Sequence, residues 1–210
     1  MKSLTHSTGL ILRTAPSGES FLKIELLCPE QGVCFCLKRI SKKNPLKERP
    51  DLFDTAELNL EASKQGSLQF LTDYRVTLRR EAIGLSYHSL KYASDFCAII
   101  AENGPHMPEP EALYTLTERT LDAFGQKKAP AIIFLKALYV LLKDEGYPIK
   151  ETWWQTLSAD LKPFVRELLK EPTPAQIDAE VRPQMERSIQ SLCRWLRNET
   201  DLRLPNSISL

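Results

Sequence analysis

Hydrophobic and polar residues alternate in short runs through the first eighty positions, and then the period changes. In SFLKIELLC, Leu22, Ile24 and Leu26 share one face while Phe21, Lys23, Glu25 and Leu27 share the other, the pattern of a strand with one aliphatic side. SLTHSTGLILRTAP and GVCFCLKRI flank this run, and the clusters SGES and PEQG between them are turn formers. A looser segment, SKKNPLKERPD, follows; TAELNLEAS and SLQFLTDYRVTLRR then predict two more strands around the turn KQGS. Five short strands with no helix between them predict a small barrel or sandwich.

From Glu81 onward the spacing is helical. SYHSLKYASDFCAIIAENG places Leu90, Ala93, Phe96, Cys97 and Ile100 on one face and stops at Gly104-Pro105. PEPEALYTLTERTLDAFGQ opens with prolines and acids and ends at Gly125, a punctuated helix. APAIIFLKALYVLLKDEGY is apolar nearly all round, which predicts a buried central helix ended at Gly146. SADLKPFVRELLKE and TPAQIDAEVRPQMERSIQSLCRWLRNET predict further helices, with Pro183 a break or kink in the last. The fold class expected is α+β, with a strand domain over residues 1–80 and an all-helical domain over residues 81–210.

Composition narrows the function classes. With 42% hydrophobic and 26% charged residues, this is the make-up of an ordinary globular protein. No run approaches the eighteen apolar residues of a membrane-spanning helix, and the apolar stretch near the N-terminus is too short for a signal-peptide core. Five irregularly spaced cysteines then read as reduced thiols of a cytoplasmic protein.

The net charge of +1 hides an asymmetry: residues 1–80 carry 13 Lys+Arg against 9 Asp+Glu, a net of +4. The excess concentrates in KRISKKNPLKER, Lys38 to Arg49, with six basic residues and one acid. Such an arm is either a solvated loop or a local site for a polyanion.

The candidate chemistry is sparse. Cys28, Cys34 and Cys36 have C-x5-C-x-C spacing, which lacks the paired knuckles of a zinc site, and they read as small buried hydrophobes. His6, His88 and His106 are isolated, no glycine-rich phosphate loop is present, and the carboxylates are scattered. No enzyme, no cofactor and no metal are expected.

Basic residues remain. Arg39, Lys42 and Lys43 follow the third strand, and Arg75, Arg79 and Arg80 end the fifth. A small β-barrel carrying basic loops and a few aromatics is a common build for single-strand nucleic-acid binders. Phe35, Phe70 and Tyr74 are the aromatics in question, with at least two of them expected in the barrel core. Trp153-Trp154 is expected to put one ring into the helical core.

In order along the chain, these features resemble the bacterial recombination mediator family RecO. The opening GLILRTAPSGESFLKIELLCPEQGVCFCLKRISKK is similar to that family's start: Leu12-Arg13, then the Gly18-Glu19 turn, then the turn glycine Gly32, then a basic segment at Arg39, Lys42 and Lys43. PDLFDTAELNLEASKQGSLQFLTDYRVTLRREAIGLSYHSLKYASDFCAII and FLKALYVLLKDEGYP resemble its later sections.

The resemblance implies an N-terminal OB-fold barrel and a C-terminal helical domain. It also implies binding to single- and double-stranded DNA, strand annealing, and loading of RecA together with RecR, in the cytoplasm at the nucleoid. The acidic C-terminal tail of single-stranded DNA-binding protein is a further implied partner. The nucleic-acid-binding candidates are Arg13, Lys38, Arg39, Lys42, Lys43, Arg75 and Arg79; Lys38 stands where the family does not typically have a charge. Many members carry a four-cysteine zinc module after the Gly-aromatic-Pro turn. Here KETWWQTLSADLKPFVRELLKE takes that place without a cysteine, so the Trp pair and the added helix are its candidate replacements. The alternative to DNA binding is a protein–protein adaptor using the strand domain as scaffold.

Overall fold

The computed structural model describes residues 4–40, 49–63 and 68–208. Five strands come first: β1 (Leu4–Ser17), β2 (Phe21–Cys28), β3 (Gly32–Arg39), β4 (Thr55–Ala62) and β5 (Gln69–Leu78). The helices follow: α1 (Tyr87–Asn103), α2 (Pro110–Gly125), α3 (Pro130–Asp144), α4 (Trp153–Thr156), α5 (Leu161–Lys170) and α6 (Arg182–Glu199). The chain divides into two compact units. The first comprises residues 1–80 and 100–118; the second comprises residues 81–99 and 119–210.

In the first unit the strand order is β1-β2-β3-β5-β4, with β4 pairing back to β1, so the ladder closes on itself. All pairings are antiparallel except β3 with β5, which is parallel. The period-2 pattern explains the interior. Ile24, Leu26 and Cys28 from β2, Cys36 from β3, Ala56, Leu58 and Leu60 from β4, and Leu71 and Tyr74 from β5 form one buried cluster. The β2–β3 turn needs Gly32, whose φ of 70° is costly for any residue with a Cβ.

Outside the strands, one end is covered by the 100–118 segment. Leu27 lies opposite Val33, and Gly104 packs directly against Val33. A Cβ at Gly104 would sit 2.4 Å from Val33 Cγ2 and 3.2 Å from Leu113 Cδ2. Gly104→Ala is therefore expected to destabilise by about 1–3 kcal/mol through overpacking. An unchanged urea midpoint would show that this approach has slack.

In the second unit α3 is the central helix, as its all-round apolar sequence predicts, with Ile132, Ile133, Phe134, Leu135, Leu138, Leu141 and Leu142 buried. Trp153 is wholly buried and its Nε1 donates to Ser191 Oγ on α6 at 3.2 Å. Trp154 is half-buried under Arg166 at 5.5 Å.

Two expectations are corrected. Pro183 neither breaks nor kinks the last helix. It lies in the first turn of α6, where a missing N–H leaves no hydrogen bond unmade. Leu90 is exposed rather than buried with Ala93, Phe96, Cys97 and Ile100, because the buried stripe of α1 runs through Ser89, Ala93, Phe96 and Ile100 and Leu90 sits one step round the helix from it. Among the described residues, no helix is long and apolar enough to cross a membrane.

Candidate nucleic-acid interface

On β2 and β3 the outer face of the ring is partly exposed, most of all at Phe35 and Arg39. Because Cys34 and Cys36 turn inward, Phe35, Leu37 and Arg39 of β3 turn outward. On β2 their register partners are Glu25, Lys23 and Phe21 in turn, and Leu37 also pairs with Phe70 of β5. The outer face therefore reads Phe35, Leu37, Arg39 along one strand and Glu25, Lys23, Phe21 along the next.

Phe35 is 45% exposed, a large value for a strand aromatic. Lys23 Nζ stands 5.4 Å from the centre of its ring and 3.0 Å from Glu25 Oε1. Phe21 and Phe70 pack ring to ring at 6.2 Å across the top of the face. At least two of Phe35, Phe70 and Tyr74 are expected in the core, and only Tyr74 belongs to it; Phe35 and Phe70 lie outside, which the alternation with buried neighbours dictates.

The basic candidates fall into two groups. Several hold internal carboxylates. Arg13 Nη2 is 2.8 Å from Glu102 Oε1, with Glu25 at 3.7 Å. Arg75, 70% exposed, donates from Nε and Nη2 to Glu57 Oε2 at 3.0 and 2.5 Å. The pair raises the Arg75 pKa and lowers that of Glu57, in each case first through their hydrogen bond. Arg79 forks onto Asp54, Nε to Oδ1 at 3.0 Å and Nη2 to Oδ2 at 2.8 Å, and that hydrogen bond raises its pKa. Asp54 is wholly buried and also accepts from Tyr74 Oη at 2.7 Å. Arg79 is thus a structural cation.

The remaining candidates form the second group, and of it only Arg39 stands on the outer face among the described residues. Lys38 lies 5.6 Å from the Tyr74 ring, on the inward-turning side of β3. Arg39 ends β3, exposed on the same outer face as Phe35. Lys42 and Lys43 lie outside the described residues. Alternation could have revealed Lys23, Phe21 and Phe35 as outward, since the inward set on β2 is plain in the sequence; the pairing that aligns them with Arg39 needed the register.

The thiols sit where a small hydrophobe would. Cys28 and Cys36 are fully buried in the strand interior, with Cys34 packed against them. Burial pushes the Cys36 thiol up to about 12; Cys34 is raised first by its hydrogen bond with Cys28 and then by burial. Neither of these two is poised as a thiolate at neutral pH.

The second unit holds an open cleft of about 530 Å³ lined by His88, Tyr92, Pro130, Ile177, Arg182 and Met185, with Glu186 on its wall. No protein-family model matches the chain, and no curated protein matches it.

Proposed function

We propose that the chain is a DNA-binding recombination and repair mediator whose first unit is an OB-fold barrel. The observation that carries this reading is the closed strand order β1-β2-β3-β5-β4 together with a partly exposed outer face on β2 and β3 that holds Lys23, Phe35 and Arg39. In OB-folds the strand 2–3 face is the surface that receives oligonucleotides. Cations there screen the phosphates of two strands at once, which lowers the repulsion that opposes annealing.

The helical unit would recruit the partners that accompany such a mediator: RecR, the acidic tail of single-stranded DNA-binding protein, and RecA indirectly. Its cleft offers Arg182 and His88 beside the apolar Met185, Ile177 and Pro130 as a seat for an acidic tail.

The test is fluorescence anisotropy of a labelled single-stranded oligonucleotide across a salt series. Binding at low salt that weakens as salt rises is expected. Lys42→Ala with Lys43→Ala is expected to weaken binding and flatten the slope, whereas Arg75→Ala, whose guanidinium already holds Glu57, is expected to change little. Arg182→Glu is expected to weaken an acidic tail peptide and spare the oligonucleotide. Absence of oligonucleotide binding at low salt, with the tail peptide still bound, would favour the adaptor. One feature already favours that second reading: Arg13, Arg75 and Arg79 are engaged by carboxylates of the same chain.

A further inference from the structure

Residues 201–208 of the second unit lie against both α1 and α6. Tyr147 Oη donates to the Asp201 carboxylate, Pro205 and Ile208 are buried, and Arg197 Nη2 of α6 donates to the Ile208 carbonyl at 3.0 Å. A further contact reaches a buried charge. Ser207 Oγ donates to Asp95 Oδ1 on α1 at 2.7 Å, across 112 positions of sequence, and Asp95 is only 4% exposed. The other carboxylate oxygen is also engaged: Lys91 Nζ, one turn back on α1, donates to Asp95 Oδ2 at 2.9 Å. The same ammonium stands 5.1 Å from the centre of the Tyr92 ring. Tyr92 lines the cleft, and its ring packs against that of Phe134 on α3 at 5.1 Å. Burial raises the Tyr92 pKa, and the Lys91 ammonium opposes that shift. A lysine stem is flexible, so its ammonium keeps one place only where a partner holds it. Here the partner is a carboxylate whose own orientation is set by Ser207.

We infer that residues 201–208 form a strap that positions the cleft wall: Ser207 orients Asp95, Asp95 holds Lys91, and Lys91 steadies the Tyr92 ring. Each link is a charge-assisted hydrogen bond or a cation beside a ring, and each depends on the one before it. When the strap lifts, Asp95 loses a donor, Lys91 loses its fixed acceptor and Tyr92 loses the cation beside it. For the acidic tail assigned to the cleft above, a reading on which this regulation rests, strap docking and tail binding each favour the other by the same factor. The strap is then a switch on the cleft, and Ser207, Asp95 and Lys91 are positioning residues that act through Tyr92.

The first arm of the experiment needs no ligand. The full chain is labelled with fluorotyrosine, the Tyr92 resonance is assigned with Tyr92→Phe, and amide exchange of residues 201–208 is followed by mass spectrometry; circular dichroism checks that each variant is folded. Ser207→Ala and Asp95→Asn are expected to speed exchange in the strap and to shift the Tyr92 resonance. Ser207→Thr keeps the hydroxyl and is expected to do neither. Lys91→Met is expected to shift the resonance while the strap stays protected. Unchanged strap exchange in Ser207→Ala, or faster exchange with an unmoved Tyr92 resonance, would overturn the proposal. In the second arm a labelled peptide of aspartates with an apolar end is titrated in. Ser207→Ala is expected to bind it about fivefold more weakly than the wild type, Ser207→Thr to bind it equally well, and the bound peptide to slow strap exchange in the wild type. Equal binding by the wild type and Ser207→Ala would overturn the regulation. A wild type that binds no peptide, yet shows the Tyr92 shift in Ser207→Ala, would overturn the acidic-tail reading of the cleft and uphold the strap's hold on Tyr92.

Discussion

Replacing Asp54 with Ala is expected to destabilise the strand unit by about 3 kcal/mol, at the lower end of what breaking a buried ion pair costs because Arg79 can turn to water. The carboxylate has no exposure and takes hydrogen bonds from Tyr74 Oη, from both forks of Arg79 and from the Asp51 N–H at 3.1 Å. Its removal leaves the Tyr74 hydroxyl without this acceptor in a site that is 6% exposed. The neighbouring backbone adds to the effect. Phe53 has φ of 69°, a left-handed conformation unusual for a bulky residue. It is held by its N–H on the Ile11 carbonyl at 3.0 Å and by Arg80 Nη1 on its own carbonyl at 2.8 Å. Asp54 is the next link, and the Ile11 N–H donates to its carbonyl at 2.9 Å.

Asp54→Asn keeps the shape and loses the charge, so a smaller loss is expected. Glu57→Ala, which breaks an exposed pair, is expected to change stability little. Chemical denaturation followed by far-UV circular dichroism reads all three; an Asp54→Ala midpoint equal to that of Glu57→Ala would sink the argument. Arg79→Ala carries a related consequence. It strands a buried carboxylate, so any loss of DNA binding in that variant is a folding effect before it is a contact effect.

Trp153→Ala is expected to be the most damaging single change in the helical unit, at about 3–5 kcal/mol for an aromatic deleted from a core. The indole is wholly buried, lies 6.2 Å from the Tyr139 ring of α3 and donates to Ser191 of α6. The four-residue α4 has no length with which to hold itself, so this side chain ties it to its neighbours. Trp153→Phe restores most of the volume without the N–H, and a partial loss is expected. Trp154→Ala removes only a half-buried ring under Arg166, and about 1 kcal/mol or less is expected. Equal losses for Trp153→Ala and Trp154→Ala in guanidinium denaturation would contradict the assignment of the core ring.

Particular residues show how far the sequence reached. The alternation in SFLKIELLC already told which side of β2 is aliphatic, and Ile24 and Leu26 are fully buried there. Gly32 announced its turn and Pro110 the start of α2. APAIIFLKALYVLLKD announced a buried helix, and α3 has eight buried residues. The expectation that at least two of Phe35, Phe70 and Tyr74 are core fails, with only Tyr74 there, because an aromatic in a strand is more often core than surface and single-chain pattern alone does not say how the other face is covered. Pro183 was misjudged because a proline reads alike as a kink or a first-turn residue until the helix start is known.

What the sequence determined by itself is periodicity: five strands and the helices that follow them; that residues 100–118 group with the strands rather than with the other helices it did not show. Side-chain period is a local property, fixed by backbone geometry and solvent, so a single chain displays it. What only the tertiary structure decided is partnership. Glu102 is 89 positions from Arg13, and Asp54 is 25 from Arg79. A charge is available to a ligand or engaged inside according to which residues the fold brings within about 4 Å of it, and charge counting along the chain contains no such distance. The same holds for the partly exposed strip at Phe35, Leu37 and Arg39. Its residues were in view from the start, and their alignment with Lys23 and Phe21 exists only in the register of the paired strands.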